Sequence, residues 1–223
     1  MKDNQSAFNA CDYDVNIEKT LPYYKEFYRQ VVDVVSGKFG NERLNWFDIG
    51  CGTGRMAEEA FKCFDIEKFV FCDNSLQMIE IAKQRFERDN VEFIINSFID
   101  LDLQEKYKVI TAVQVFHYLR KQQREEAIKK CYDNLEAGGI FISFDNFAPN
   151  SQEGKELFLK RWKLYQLFQG KTEEECDRHL SRYGKEYYPI TISEHLLMME
   201  KCGFKNTEVI WVSNMQVGIL GIK

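Results

Sequence analysis

Three glycines at alternate positions follow a short apolar segment near residue 50. The segment reads Phe47-Asp48-Ile49-Gly50-Cys51-Gly52-Thr53-Gly54, and residues with helical character come after it. A strand that enters a helix through glycines lets the backbone approach a ligand closely, and the N-terminus of the helix offers unpaired N–H groups. The segment therefore predicts a small-molecule site at the end of a strand.

The spacing of these glycines separates two kinds of ligand. The fingerprint of a nicotinamide dinucleotide site requires glycines at 50, 52 and 55, whereas this chain has Arg55 and places its third glycine at Gly54. The difference favours a ligand that lacks a pyrophosphate group.

Asp48-x-Gly50-x-Gly52-x-Gly54 resembles motif I of the class I methyltransferases, which use S-adenosylmethionine (SAM). Asp73-Asn74-Ser75-x-x-Met78 is similar to the Asp-x-Ser-x-x-Met pattern of the same family. The resemblance implies that Asp73 accepts hydrogen bonds from the ribose hydroxyls, as a carboxylate can from a vicinal diol, and that Met78 packs on adenine. Asp73 taken alone could instead be a helix N-cap, but the nearby glycine turn favours the cofactor site.

The resemblance implies further contacts with SAM. Asn96-Ser97-Phe98 stands where the family usually has an acidic residue near the adenine amino group; Ser97 departs from that pattern, and the Phe98 N–H is the alternative contact. The N-terminal segment often covers the cofactor in this family, so Tyr13 and Tyr24 are added to the predicted cofactor-binding residues. The predicted cofactor-binding residues are Tyr13, Tyr24, Asp48, Gly50, Cys51, Gly52, Asp73, Asn74, Met78, Ser97, Phe98 and Gln114.

A histidine lies in the segment that should face the reacting methyl group. Val113–Leu119 resembles the family's loop after the fourth strand, and His117 is our candidate general base for an acceptor that must lose a proton. The alternative is a histidine that only packs or holds backbone. The predicted substrate-binding residues are Tyr118, Trp162, Arg182 and Tyr183. The Arg182 fork could grip a carboxylate or phosphate, while core packing is the alternative for each aromatic residue.

Composition excludes several classes of protein. The seven cysteines are scattered without a Cys-x-x-Cys pair and the three histidines are not paired at ligand spacing, so we expect reduced thiols, a cytoplasmic protein and no metal. The net charge is −5, and eight basic and seven acidic residues mix within 151–188, which makes nucleic acid an unlikely partner. No signal peptide or long apolar run predicts membrane association. We expect a small-molecule acceptor and a monomer or homodimer.

Strand and helix patterns alternate between residues 45 and 144. Apolar strands are predicted at Asn45–Ile49, Phe69–Cys72, Val91–Ile95, Val109–Val113 and Ile140–Phe144. We also expect Pro22 in the first turn of a helix and Gly138-Gly139 at the end of the helix Gln122–Leu135. The alternation predicts the α/β class with a doubly wound, mainly parallel, Rossmann-like sheet.

The organisation predicted from these patterns is a single SAM-binding domain over 1–223. An N-terminal helical cap covers 1–40, a helical lid insertion covers 151–188, and an antiparallel strand pair, Val209–Val212 and Val217–Ile222, closes the chain. The insertion should move over cofactor and acceptor; a rigid cap over the sheet is the alternative.

The leading hypothesis is a SAM-dependent methyltransferase that acts on a small molecule by in-line displacement. A SAM-dependent tRNA-modifying enzyme and a non-catalytic SAM-binding regulatory module are the alternatives. Ile17-x-x-x-Leu21-Pro22-x-Tyr24 and the closing segment Gly203–Lys223 resemble, more weakly, the carboxy-SAM synthase branch of the family, which serves tRNA wobble-uridine modification.

Overall fold

Seven strands form one sheet in the computed structural model, which describes residues 6–223. Their order is β3-β2-β1-β4-β5-β7-β6; β1 to β5 are parallel, whereas β7 runs antiparallel to β5 and β6 antiparallel to β7. The strands are β1 Leu44–Ile49, β2 Ile66–Asp73, β3 Val91–Ile95, β4 Tyr107–Val113, β5 Leu135–Asn146, β6 Asn206–Ser213 and β7 Gln216–Ile222. The predicted doubly wound α/β sheet with an antiparallel C-terminal pair is confirmed.

Eight α-helices connect and cover these strands in the part of the chain that the structure describes. They are α1 Tyr13–Thr20, α2 Tyr24–Phe39, α3 Arg55–Cys63, α4 Leu76–Arg85, α5 Lys121–Asn134, α6 Gln152–Phe168, α7 Glu173–Leu180 and α8 Ile192–Cys202. None of the helices described within 6–223 is long and apolar enough to cross a membrane.

The two faces of the sheet carry separate apolar cores. Successive side chains of a strand point to opposite faces, so Trp46 and Phe69 pack with helices α2, α3 and α4, while Phe47 and Val70 pack with α5 and α8. Both faces of the parallel strands are therefore buried, and the strand ends are left as the place where a ligand can enter.

Two local predictions are wrong. Helix α5 ends at Asn134, and Gly138-Gly139 lies inside β5. A glycine is favoured at position 139 because a Cβ there would come within 3.0 Å of the Tyr107 carbonyl oxygen. Pro22 lies in the turn between α1 and α2, one residue before the N-cap Tyr23. The preference of proline for a first helical turn and of glycine for a helix end is a local tendency, which the surrounding structure overrides at both positions.

The insertion consists of α6, α7 and the segment that follows, and it rests on α1. The Trp162 indole donates a hydrogen bond to the Thr20 carbonyl at 2.6 Å, and the Tyr165 hydroxyl donates to the Glu18 carbonyl at 3.0 Å. Thr172 and Glu175 form the reciprocal capping box at the start of α7 that their spacing predicts. The insertion and the first helix thus form one roof above the strand ends; residues 1–5 of the predicted N-terminal cap lie outside the described residues.

Candidate active site

A cavity of about 250 Å³ opens at the carboxyl ends of β1, β2 and β4, below α1 and the insertion. Twelve of the predicted site residues line it: Tyr13, Gly50, Gly52, Asp73, Asn74, Met78, Ser97, Phe98, Gln114, His117, Tyr118 and Arg182. Parallel strands end at one edge of the sheet, which is why residues far apart in sequence meet here.

Asp73 joins the glycine turn to the end of β2. Its Oδ2 accepts a hydrogen bond from the Gly52 N–H at 2.9 Å, and its Oδ1 accepts from the Ser75 N–H at 2.9 Å. The N-cap of α4 is Ser75, whose hydroxyl accepts from the Met78 N–H. Asp73 is therefore not the N-cap, and its position beside the cavity agrees with the cofactor interpretation.

The glycine turn leaves room for a ligand on one side only. Gly50 and Gly52 both have left-handed backbone, with φ of +61° and +54°. A Cβ on Gly50 would come within 2.4 Å of Val115, whereas a Cβ on Gly52 would meet no atom within 4 Å. Gly50 is needed for close packing against the next loop, and Gly52 faces open space, so the turn fits a molecule that lies along its backbone.

Asp48, Tyr24 and Cys51 line a smaller cavity next to the main one, which Tyr13, Gly50 and Gly52 also border. Asp48 is buried and accepts a hydrogen bond from the Thr111 hydroxyl at 2.7 Å. Desolvation raises the pKa of Asp48 to about 7, because burial disfavours the charged form. A cationic ligand near this carboxyl would stabilise its ionised form.

The tyrosine hydroxyls and the cysteine thiol around that smaller cavity are protonated at neutral pH. The Tyr24 and Tyr28 hydroxyls are 2.5 Å apart, and burial raises the pKa of both. Burial also raises the pKa of the Cys51 thiol well above its ordinary value. A protonated thiol is a poor nucleophile, so Cys51 contributes to the wall of the site and not to covalent chemistry.

His117 forms a buried pair with an acidic residue that the sequence did not single out. Its Nδ1 lies 2.8 Å from Oδ1 of Asp145, and both residues are about 2% exposed. The same oxygen accepts from the backbone N–H groups of Val115 and His117 at 3.1 and 3.2 Å. Burial lowers the pKa of His117, although Asp145 acts in the opposite direction.

Arg182 brings a buried positive charge to the same cavity. The side chain is buried, its Nε donates to Oε2 of Glu186 at 2.6 Å, and the guanidinium also interacts with the Tyr118 hydroxyl. Glu186 is 59% exposed, so water screens its charge. The wall of the cavity thus carries both the carboxylate of Asp73 and the guanidinium of Arg182.

Two of the predicted substrate-binding residues, Trp162 and Tyr183, do not line the cavity. Trp162 is fully buried against α1, and Tyr183 packs on Tyr187 with ring centroids 5.7 Å apart. Neither lines the cavity, and their contact with a substrate stays a prediction. Gln114 does line it, in left-handed conformation (φ +62°), and donates its side-chain amide to Gln216.

Sequence reasoning missed several residues of the wall. Tyr187, His179 and Asn146 line the cavity, and the buried Tyr187 hydroxyl and His179 Nδ1 have no partner among the described residues. His179 and Tyr187 flank Arg182 in sequence, so the predicted role of Arg182 was the signal that could have found them. Among residues 6–223 there is no group of three or more His, Cys, Asp or Glu side chains placed to hold a metal ion.

Comparison with known proteins agrees with this geometry. A methyltransferase-domain family model matches residues 47–139. The carboxy-S-adenosyl-L-methionine synthase of Staphylococcus epidermidis is 26% identical over 98% of this chain and 96% of its own length. The synthase of the same name from Nautilia profundicola is 28% identical over 91% of this chain and 86% of its own.

Solved structures share the fold at low sequence identity. A chain of the complex between the Haloferax volcanii Trm112 activator and a methyltransferase described as putative superposes with a TM-score of 0.69 at 13% identity, covering 100% of this chain and 98% of that one. The N-methyltransferase NodS of Bradyrhizobium japonicum, solved with S-adenosyl-L-homocysteine, gives 0.64 at 13% identity over 91% and 88%.

The fold and the cavity define an enzyme with a Rossmann-like methyltransferase domain whose cofactor is SAM. Residues 47–139 resemble the methyltransferase-domain family, and nearly the whole chain is similar to carboxy-S-adenosyl-L-methionine synthases. The predicted resemblance to SAM-dependent methyltransferases, the predicted fold and the predicted cofactor are thereby confirmed.

Proposed function

We propose that this enzyme converts SAM into carboxy-S-adenosyl-L-methionine. The relatives that align over nearly the whole chain carry that product in their names. The observation that carries the proposal is the buried guanidinium of Arg182, which lines the same cavity as the glycine turn.

The charge of Arg182 is unfavourable for SAM alone. Bound SAM supplies a methyl carbon activated by a positively charged sulfonium. Two unit positive charges about 6 Å apart repel each other by about 3 kcal/mol at an effective dielectric constant of about 20. A carboxylate between them turns this repulsion into attraction on both sides, and a planar guanidinium can bind it through two parallel hydrogen bonds.

The other residues of the cavity fit the same reaction. Asp73 and the glycine turn would hold the ribose and the atoms of SAM next to it. Met78 and Phe98 would enclose the adenine. Arg182 and Tyr118 would hold the new carboxylate at the far end. The roof made by α1 and the insertion would exclude water from the carbon that gains the carboxyl group.

The proposal is tested by following a labelled carbon. The purified enzyme is incubated with SAM labelled with ¹³C in its methyl group and with the small-molecule fraction of a bacterial extract as the source of a carboxyl donor. We expect a product that keeps the labelled carbon and is heavier than labelled SAM by one carbon dioxide. Formation of S-adenosylhomocysteine, with the label in another molecule, would show methyl transfer instead.

A matched pair of variants links the result to Arg182. Arg182→Met should abolish the carboxylated product, whereas Arg178→Met, on the exposed side of α7, should not change it. Equal activity of the two variants would remove Arg182 from the site.

Methyl transfer to an anionic small molecule is the second candidate. The match to the methyltransferase-domain family over residues 47–139 favours it, and Arg182 would then hold the acid group of the acceptor. The position of the label distinguishes the two reactions.

A further inference from the structure

The loop after β4 carries a histidine held by a buried carboxylate. Oδ1 of Asp145 gathers three contacts: two backbone N–H groups at 3.1 and 3.2 Å, and Nδ1 of His117 at 2.8 Å. A carboxylate oxygen only accepts hydrogen bonds, so Nδ1 must carry the proton. In the neutral ring the proton-accepting nitrogen is then Nε2.

We propose that His117 Nε2 is the proton acceptor of the SAM-dependent reaction and that Asp145 is its positioning residue. Which atom loses the proton rests on the proposed function, whereas the assignment of His117 as the base does not. His117 lines the cavity and Asp145 does not; because Asp145 occupies Nδ1, we infer that Nε2 is the ring nitrogen that faces the cavity.

Burial, helped by two arginines, keeps the His117 ring neutral before reaction. Asp145 faces it from β5, Arg124 from α5, and Arg182 and His179 from the insertion. Burial is the largest influence on the pKa of His117 and lowers it, the two arginines act in the same direction, and Asp145 opposes them. A neutral imidazole can accept a proton at pH 7, and the adjacent carboxylate then balances the charge that forms.

A second buried residue holds the loop from the opposite side. Arg124 donates to the Phe116 carbonyl at 3.1 Å and to the Tyr188 carbonyl at 2.8 Å, and the Tyr188 N–H donates to the His117 carbonyl at 2.6 Å. The backbone on each side of His117 is therefore fixed, which limits how far its ring can turn.

The proton balance of the step is simple. His117 Nε2 takes a proton from the carbon that gains the carboxyl group, and the electron pair of that C–H bond forms the new C–C bond. A carboxylic-acid donor supplies the carboxyl carbon and keeps the pair of the C–C bond that it loses, and the remainder of the donor then takes up the proton from His117, which restores the neutral ring. In methyl transfer the proton would come from the acceptor atom, and its pair would form the bond to the methyl carbon, while the pair of the broken C–S bond stays on sulfur and leaves S-adenosylhomocysteine.

Imidazole ¹⁵N NMR on the protein without ligand tests the tautomer directly. The chain has only three histidines, and the signals lost in His117→Gln identify this one. We expect a neutral ring at pH 7 with the proton on Nδ1. A proton on Nε2, or a charged ring at pH 7, would overturn the proposal.

The second test is kinetic and uses the labelled-methyl assay, whichever product it detects. His117→Gln should lower the rate by about 100-fold or more, the usual contribution of a general base, and change the Kd for SAM less than threefold. The control His195→Gln alters a histidine that is equally buried but absent from the cavity wall, and should keep the wild-type rate. Equal rates in the two variants would contradict the proposal.

Asp145→Asn separates positioning from simple structure. The amide oxygen can still accept from the loop, but its charge is gone, so the pKa of His117 should fall and the acid limb of the pH–rate profile should move to lower pH. An unmoved limb would show that Asp145 does not act through His117. A label found in an acceptor instead of carboxy-SAM would reject the proposed function and leave the base assignment to be decided by these same variants.

Discussion

Asp73 shows how one side chain shapes the site before a ligand binds. Its two oxygens accept from Gly52 and Ser75, so the carboxylate orders the glycine turn and sets the start of α4. Asp73 also lines the cavity, where ribose hydroxyls would arrive. Its substitution should therefore affect both the turn and the ligand.

Asp73→Ala should weaken SAM binding by about 1.5–3 kcal/mol, the range for hydrogen bonds to a charged group. Isothermal titration calorimetry measures the change. The control is Asp89→Ala, an exposed aspartate in the loop before β3, which should bind like the wild type. Unchanged affinity in folded Asp73→Ala would contradict the assignment.

Asp48 predicts a pH dependence of SAM binding. Its pKa is raised to about 7 in the ligand-free protein, and a cationic ligand would favour the ionised form and lower that pKa. SAM affinity should then fall as the pH drops from 7 to 5.5, by at most about tenfold for each pH unit. Calorimetry on the wild type and Asp48→Asn checks this: the variant should lose the dependence, and an identical slope in both would exclude Asp48 as its source.

How far the sequence predicted the residues of the site depended on their distance from a motif. Gly50 to Phe98 follow strand ends in a local pattern, so their place at the cavity could be inferred from the resemblance. Asp145 and Tyr187 carry no local pattern, and they reach the site through the pairing of β4 with β5 and through the folding back of the insertion. Long-range contacts of this kind have no signature in a single sequence.

At the scale of elements, strand existence was predictable and strand ends were not. Five apolar segments predicted the five parallel strands, yet β5 is twelve residues long and runs from Leu135 to Asn146. The extension matters because it carries Asn146 to the cavity and Asp145 to the ring of His117. Its polar end has no apolar pattern, and the pairing with β7 makes it a strand.

Movement of the insertion over 151–188 stays a prediction, and the structure indicates which part should move. Its end is attached to the loop after β4 by the hydrogen bond from the Tyr188 N–H to the His117 carbonyl, while α6 is bonded to α1 through the side chains of Trp162 and Tyr165. SAM should slow hydrogen exchange in α6 and α7 and leave the amides near Tyr188 unchanged. Full protection of 151–188 without SAM, with no change on binding, would show a rigid cap.

At the scale of the whole molecule, buried histidines should set the response to acid. His195 is fully buried, neither ring nitrogen has a partner among residues 6–223, and burial lowers its pKa to about 4. The unfolded chain takes up this proton near pH 6.5 and the folded chain only near pH 4, so the free energy of unfolding falls as the pH drops between these values.

His195→Leu should remove this part of the pH dependence. Relative to the wild type, the variant should gain about 2 kcal/mol in free energy of unfolding on going from pH 7.5 to pH 5. Urea denaturation at the two pH values measures it, and Asp48, whose raised pKa acts with the opposite sign, cancels in the comparison. An equal stability difference at both pH values would contradict the buried, neutral state of His195.

The central claim is that the cavity is built for SAM that carries an extra carboxylate held by Arg182. The most direct measurement is a pair of calorimetric titrations, one with SAM and one with carboxy-S-adenosyl-L-methionine, on the wild type and on Arg182→Met. We predict that the wild type binds the carboxylated molecule at least tenfold more tightly, since a hydrogen bond to a charged group contributes about 1.5–3 kcal/mol, and that Arg182→Met loses this preference. Tighter binding of SAM than of the carboxylated molecule by the wild type, or a preference that survives in Arg182→Met, would contradict the account.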